Sequence, residues 1–225
     1  MPIKRLIAVG CSWTYGTELH EKNRLTKNYS ALVAKHYGLQ LDNCGFPGAS
    51  LESMRSVLHW HLKNTTDLAE TLWLVGLTDS TRKSWYNAIG KDSEYNFNFN
   101  QPERPWNNHV HSIWLKNHDS NINPSWYTLN KLWTANCYST EWAEQNYWET
   151  ITAFESIKYS HNSKVVQFNC MRNPYKNANV INTDSSFRQM LNKQHFASGK
   201  HPNEIGHEII SKHLINHIDC ANILA

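Results

Sequence analysis

Apolar positions along the chain follow two rhythms. An unbroken run, Leu6-Ile7-Ala8-Val9, predicts a strand over residues 3–9 that is buried on both faces. Residues 71–75 and 164–168 read the same way, and residues 40–43 read as a short second strand between the first run and residues 71–75. Elsewhere the spacing becomes helical. Leu32 and Val33 mark the apolar side of a helix over 29–37, and Leu51, Met54, Leu58 and Leu62 recur at intervals of three and four after an N-cap at Ser50. Residues 141–159 predict another helix, and 203–217 a last one with Ile205, Ile209, Ile210 and Leu214 facing inward. Strands alternating with helices imply an α/β fold with a central parallel sheet covered on both faces.

Residues 84–140 lose both rhythms. They are rich in Asn, Trp, Tyr and His, with prolines at 102, 105 and 124, and predict an irregular aromatic-rich insertion within a single domain spanning 1–225. Of the ten tryptophans in the chain, seven fall between residues 85 and 148: Trp85, Trp106, Trp114, Trp126 and Trp133 in this segment, and Trp142 and Trp148 just after it. Such rings either pack as the core of the insertion, or stack on sugars or bases. Composition otherwise narrows the field. A hydrophobic content of 40% with 18% charged residues fits a globular protein, and a net charge of +3 with no basic run argues against a nucleic-acid partner. The apolar stretch before Gly10 is too short for a signal-peptide core, and no stretch approaches a membrane span. Five dispersed cysteines without a C-x-x-C pair suggest reduced thiols. A cytoplasmic location follows as the expectation. The sequence sets no oligomeric state.

Candidate chemistry lies where the strands end. The first runs into Gly10-Cys11-Ser12-Trp13-Thr14-Tyr15-Gly16, the second into Gly45-Phe46-Pro47-Gly48, and the third into Gly76-Leu77-Thr78-Asp79. In a parallel sheet these turns share one edge, the edge where open α/β sheets bind ligands, so Ser12, Gly48 and Thr78 are expected to converge. Near the other end of the chain stands His201-Pro202-Asn203, with Pro202 suited to the first turn of a helix. A serine after the first strand and a histidine before the last helix suggest a nucleophile and its base. Cys11 and His207 are expected to pack in the core. His213 and His217 have a spacing compatible with zinc but no third ligand in pattern, so neither a metal nor a cofactor is expected.

These blocks, in this order, resemble the SGNH (GDSL-type) hydrolases, esterases and acyl hydrolases on a three-layer flavodoxin-like fold. Gly10-Cys11-Ser12 is similar to the family's Gly-Asp-Ser block, Gly48 to its second-block glycine, Gly76-Leu77-Thr78-Asp79 to its Gly-x-Asn-Asp block, and His201-Pro202-Asn203-Glu204-Ile205-Gly206-His207 to its final block. The opening block is also similar to SGNH-like proteins carried by tailed phages, and a phage-encoded chain would be released by lysis or assembled into a virion. The resemblance covers residues 1–80 and 164–218. It implies a Ser12 nucleophile, a His201 base, and an oxyanion hole formed by Ser12, Gly48 and Thr78. It implies a small acyl ester as substrate, acetyl esters among them, and the aromatic and Asn-rich insertion suggests an acylated carbohydrate as the carrier of the acyl group.

Two positions depart from the family. Thr78 stands where the family has an oxyanion-hole Asn, and Ser198 stands where it has the triad Asp, three residues before His201. Ser198 could orient the imidazole but could not offset an imidazolium charge, and Asp184 is the nearest upstream acid. The site then works as a Ser–His dyad, recruits another group, or is a poor catalyst. The competing reading is a non-catalytic binding or structural protein, such as a phage particle component, that kept the fold. Trp13, Asp79 and Arg82 are candidate substrate contacts, Asp79 and Arg82 equally a loop-bracing ion pair.

Overall fold

The computed structural model describes residues 2–86, 109–111, 124–171, 173, 175–181 and 185–225. A five-stranded sheet forms the middle layer, with β1 (Arg5–Gly10), β2 (Gln40–Gly45), β3 (Thr71–Leu77), β6 (Lys164–Asn169) and β7 (Val180–Ile181), ordered β2-β1-β3-β6-β7. Every pairing in it is parallel. This is the flavodoxin-like order, in which the chain steps outward from β1 to β2 and then back across to β3. Right-handed crossovers place the intervening helices α3 (Tyr29–Tyr37) and α4 (Leu51–Asn64) on opposite faces. The last helix, α8 (Glu204–Cys220), packs with α3, and α6 (Thr140–Ser160) packs with α4, which completes three layers.

The central strands are apolar because both of their faces are covered. Leu6, Ile7, Ala8 and Val9 are wholly buried, as are Leu72, Trp73, Leu74 and Val75 of β3. The helix expected over 29–37 forms over that range, and Ser50 caps α4 with a reciprocal capping box to Ser53. In α8 one inward residue differs from expectation. Gly206, His207, Ile210, Leu214 and Ile218 make the buried stripe, whereas Ile205 is 56% exposed, because a stripe through His207 and Ile210 turns residue 205 outward.

The insertion carries more regular structure than expected. β4 (Ser84–Tyr86) pairs antiparallel with β5 (His109–His111), and α5 spans Pro124–Asn136. Pro124 read as a breaker, but it occupies the first helical position, where its missing N–H costs nothing. Residues 87–108 and 112–123, including Trp106 and Trp114, lie outside the described residues, as does Asp184. Three short helices complete the fold: α1 (Ser12–Tyr15), α2 (Glu21–Lys27) and α7 (Phe187–Met190). Among the described residues no helix is long and apolar enough to cross a membrane.

Candidate active site

The carboxyl edge of the sheet is built on a row of glycines. Gly10 is in register with Gly45 on one side and with Gly76 on the other. A Cβ at Gly10 would fall 2.0 Å from Thr14 Oγ1, and one at Gly45 would fall 2.4 Å from the Tyr15 nitrogen. Bare backbone at both positions lets α1 sit directly on the strand ends. Ser12 opens α1 and is 7% exposed, so its N–H has no partner inside that helix. The chain bends away at Gly16, whose φ of 83° is in the left-handed region.

The neighbouring loops are tied to this turn. Asn43 Nδ2 donates to the Thr14 carbonyl (2.9 Å) and the Phe46 N–H to the Gly10 carbonyl (3.0 Å). Gly48, at the tip of the loop after β2, also has a left-handed φ, 81°. Thr78 follows β3 and is fully buried, and its hydroxyl makes no hydrogen bond. A buried hydroxyl without a partner is costly in a finished core and fits a donor reserved for a ligand. Asn173 braces this loop, donating to the Thr78 carbonyl (3.1 Å) and accepting from the Ser80 N–H (3.2 Å). Ser12, Gly48 and Thr78 thus follow three adjacent strands at one edge. β1 and β3, carrying Ser12 and Thr78, flank the point where the strand order reverses.

His201 reaches the same edge from the opposite end of the chain. Its loop is pinned by a bridge between Phe196 and Pro202, and Phe196 packs on Trp13 with ring centroids 5.8 Å apart. The second tie is Glu18, just beyond α1. One carboxylate oxygen accepts from the Gly199 N–H (2.6 Å); the other accepts from the His201 N–H (3.2 Å) and from His201 Nδ1 (3.1 Å). A carboxylate only accepts, so Nδ1 carries the proton and Nε2 is left with its lone pair. Partial burial works to raise the Glu18 pKa, but hydrogen bonds from the His201 and Gly199 backbone and from the His201 ring outweigh it, and the net shift is downward. Glu18 is therefore an anion at neutral pH. Its own φ of 69° is unusual for a residue with a side chain, a strain of the kind that collects at functional sites.

Several expectations change here. Ser198 is exposed and makes no hydrogen bond to His201; Glu18 occupies Nδ1 instead. No sequence spacing marks Glu18, which stands 183 positions from its partner. Trp13 is 1% exposed and packed on Phe196, so it offers no face to a substrate. Asp79 turns back on its own loop, accepting from the Thr81 N–H and hydroxyl, while Arg82 donates to the Ala49 carbonyl (3.3 Å) in the loop after β2. Asp79 and Arg82 do not form an ion pair, and each braces a loop of this edge. Cys11 is buried, as expected of a packing residue. His207 lies in the core, accepting from the Tyr29 N–H at Nδ1 (3.3 Å) and stacking on the Tyr29 ring. No hydrogen bond joins Ser12 to His201; their two loops are tied through Glu18 and through the Trp13–Phe196 contact.

No protein-family model and no curated protein matches the chain. Among solved structures, it is similar to a member of the lipolytic protein G-D-S-L family from Veillonella parvula (14% identity, 95% of this chain and 97% of the other, TM-score 0.40). It is also similar to an acetylxylan esterase from Geobacillus stearothermophilus (14% identity, 97% and 96%, TM-score 0.37). A third is an alpha/beta hydrolase enzyme from the metagenome of Lake Arreo, Spain (14% identity, 98% and 97%, TM-score 0.41). Likeness at this level assigns no activity.

Proposed function

We propose that the protein is a serine ester hydrolase of the SGNH type with a Ser12–His201–Glu18 triad. One observation carries the reading: a carboxylate held by two backbone N–H groups accepts from His201 Nδ1, on a loop that packs against the turn bearing Ser12. That arrangement fixes the tautomer a general base needs. His201 Nε2 takes the proton as Ser12 Oγ attacks the ester carbonyl. The negative oxygen of the tetrahedral intermediate accepts from the Ser12 and Gly48 N–H groups and from the Thr78 hydroxyl, each such donor worth about 3–4 kcal/mol in related enzymes. The intermediate collapses, His201 returns the proton to the departing alcohol, and an acyl-serine remains. His201 then deprotonates a water, which releases the carboxylic acid and restores Ser12.

The near-complete burial of Ser12 favours a small acyl group such as acetyl. Half-buried Trp133 and Trp142 and exposed Tyr138 favour an acylated carbohydrate, because aromatic faces stack on sugar rings. Trp133 and Trp142 lie 4.8 Å apart and beside Lys83, which pairs with Glu52 in the first turn of α4 next to the Gly48 loop.

Hydrolysis of p-nitrophenyl acetate and of an O-acetylated oligosaccharide tests the reading, together with labelling by a fluorophosphonate. Wild type should turn over the esters and be labelled, and Ser12→Ala should do neither. A folded wild type that neither hydrolyses nor is labelled would sink the proposal in favour of a non-catalytic binding or structural role.

A further inference from the structure

A second cluster of reactive side chains lies between the edge strand and α4, behind the glycine row. Asp42 and Cys44 are two apart in β2 and so share one face of the sheet. His61, on the buried side of α4, meets them there. Cys44 Sγ lies 3.5 Å from Asp42 Oδ1 and 3.5 Å from His61 Nε2, and His61 Nε2 lies 3.7 Å from Asp42 Oδ2. Cys44 and His61 are each 1% exposed, while the Asp42 side chain keeps 25% of its exposure and opens the cluster to solvent.

The 3.5 Å between Cys44 Sγ and His61 Nε2 matches one edge of a coordination tetrahedron, and each of these two atoms meets a different oxygen of the Asp42 carboxylate at a similar distance. Zinc bonds of about 2.3 Å to sulfur and about 2.0–2.2 Å to nitrogen or oxygen, at tetrahedral angles, hold their donor atoms roughly 3.3–3.7 Å apart. Orientation of the imidazole fits too. His61 Nδ1 lies 3.0 Å from Thr65 Oγ1, one turn on in the chain, and a proton held there leaves the Nε2 lone pair aimed at Cys44. Metal-binding histidines usually donate their other ring N–H to an outer-sphere acceptor, and here the Thr65 hydroxyl stands in that place. Edge-on packing against Trp73 (5.4 Å) and Trp60 (4.8 Å) fixes the ring plane.

We infer that Asp42, Cys44 and His61 form a binding site for a borderline-soft divalent cation of the zinc type, with a fourth position left for water on the Asp42 side. Thiolate, imidazole and carboxylate together favour such an ion over magnesium or calcium, which take oxygen donors. On binding, the Cys44 thiol gives its proton to solvent and sulfur donates an electron pair to the metal. The ion clamps β2 to α4 just before Gly45 and the Gly48 loop.

Cobalt(II) titration tests it, followed by displacement with zinc, in the full chain carrying Cys137→Ser and Cys220→Ser, which remove the two exposed thiols. One equivalent of cobalt should produce a thiolate charge-transfer band that zinc abolishes. Adding Cys44→Ser should remove the band and weaken zinc binding at least about 100-fold, and Thr65→Val should weaken it roughly 10- to 100-fold with the band kept. No band in the folded protein, or a band that survives Cys44→Ser, overturns the site. Should Cys44→Ser fail to fold, Asp42→Asn decides at the solvent side: a tenfold or greater loss of zinc affinity supports the site, and unchanged affinity overturns it.

Discussion

At the residue scale, the site turns on Glu18 and on the glycine that admits it. A Cβ at position 199 would lie 2.2 Å from Glu18 Oε1, so Gly199→Ala pushes the carboxylate away from the His201 loop. The displaced atom ends a flexible chain, and the side chain can swing into solvent. We expect stability to change by less than about 1 kcal/mol in a thermal melt, while ester turnover falls. Glu18→Gln should cost about 10²–10⁴ in kcat, the scale seen when a triad carboxylate is removed, again with little change in melting temperature. Equal kcat in wild type and Glu18→Gln would remove Glu18 from the mechanism. Ser12 and His201 could be named as candidates from the sequence because each sits in a block of recognisable neighbours. Glu18 could not: its role depends on left-handed turns at Gly16 and at its own position, and on a loop 183 positions away.

At the element scale, α4 joins the fold to the site. Its N-cap, Ser50, accepts from the Ser53 N–H (3.3 Å) and shares a buried hydrogen bond with the Ser84 hydroxyl (2.7 Å). Ser50→Ala removes a cap worth about 1 kcal/mol together with the buried hydrogen bond to Ser84, worth about a further 0.5–1.5 kcal/mol. The urea midpoint should fall while the slope of the transition stays constant. This helix was readable in advance because a cap and a three–four apolar repeat are contained in its own residues. The position of α5 was less so. Pro124 carries the same local signal at a helix start as in a loop, and context chooses between them.

For the whole molecule, pH dependence follows from the buried histidine. Desolvation, with a smaller contribution from His201, lowers the pKa of His207 to about 3 from an ordinary 6.5. Between those values the unfolded chain binds a proton that the folded chain does not. Stability contributed by this group is thus complete above pH 6.5 and is lost as pH falls toward 3, by at most about 1.4 kcal/mol per pH unit. Urea unfolding at pH 7 and pH 5 should show the loss, and His207→Asn should reduce it; an equal loss in both proteins would show that other groups dominate. The same buried helix face was foreseen in outline, since burial follows a repeat, although Ile205 proved exposed. Periodicity, caps and strand-ending glycines act over a few residues, so they are written into neighbouring positions and name the strands, the main helices and the edge that bears Ser12. Which distant groups meet — Glu18 with His201, or Asp42 and Cys44 with His61 — follows from sheet order and crossover direction. Those are set by burial summed over the entire core, and no local pattern records them.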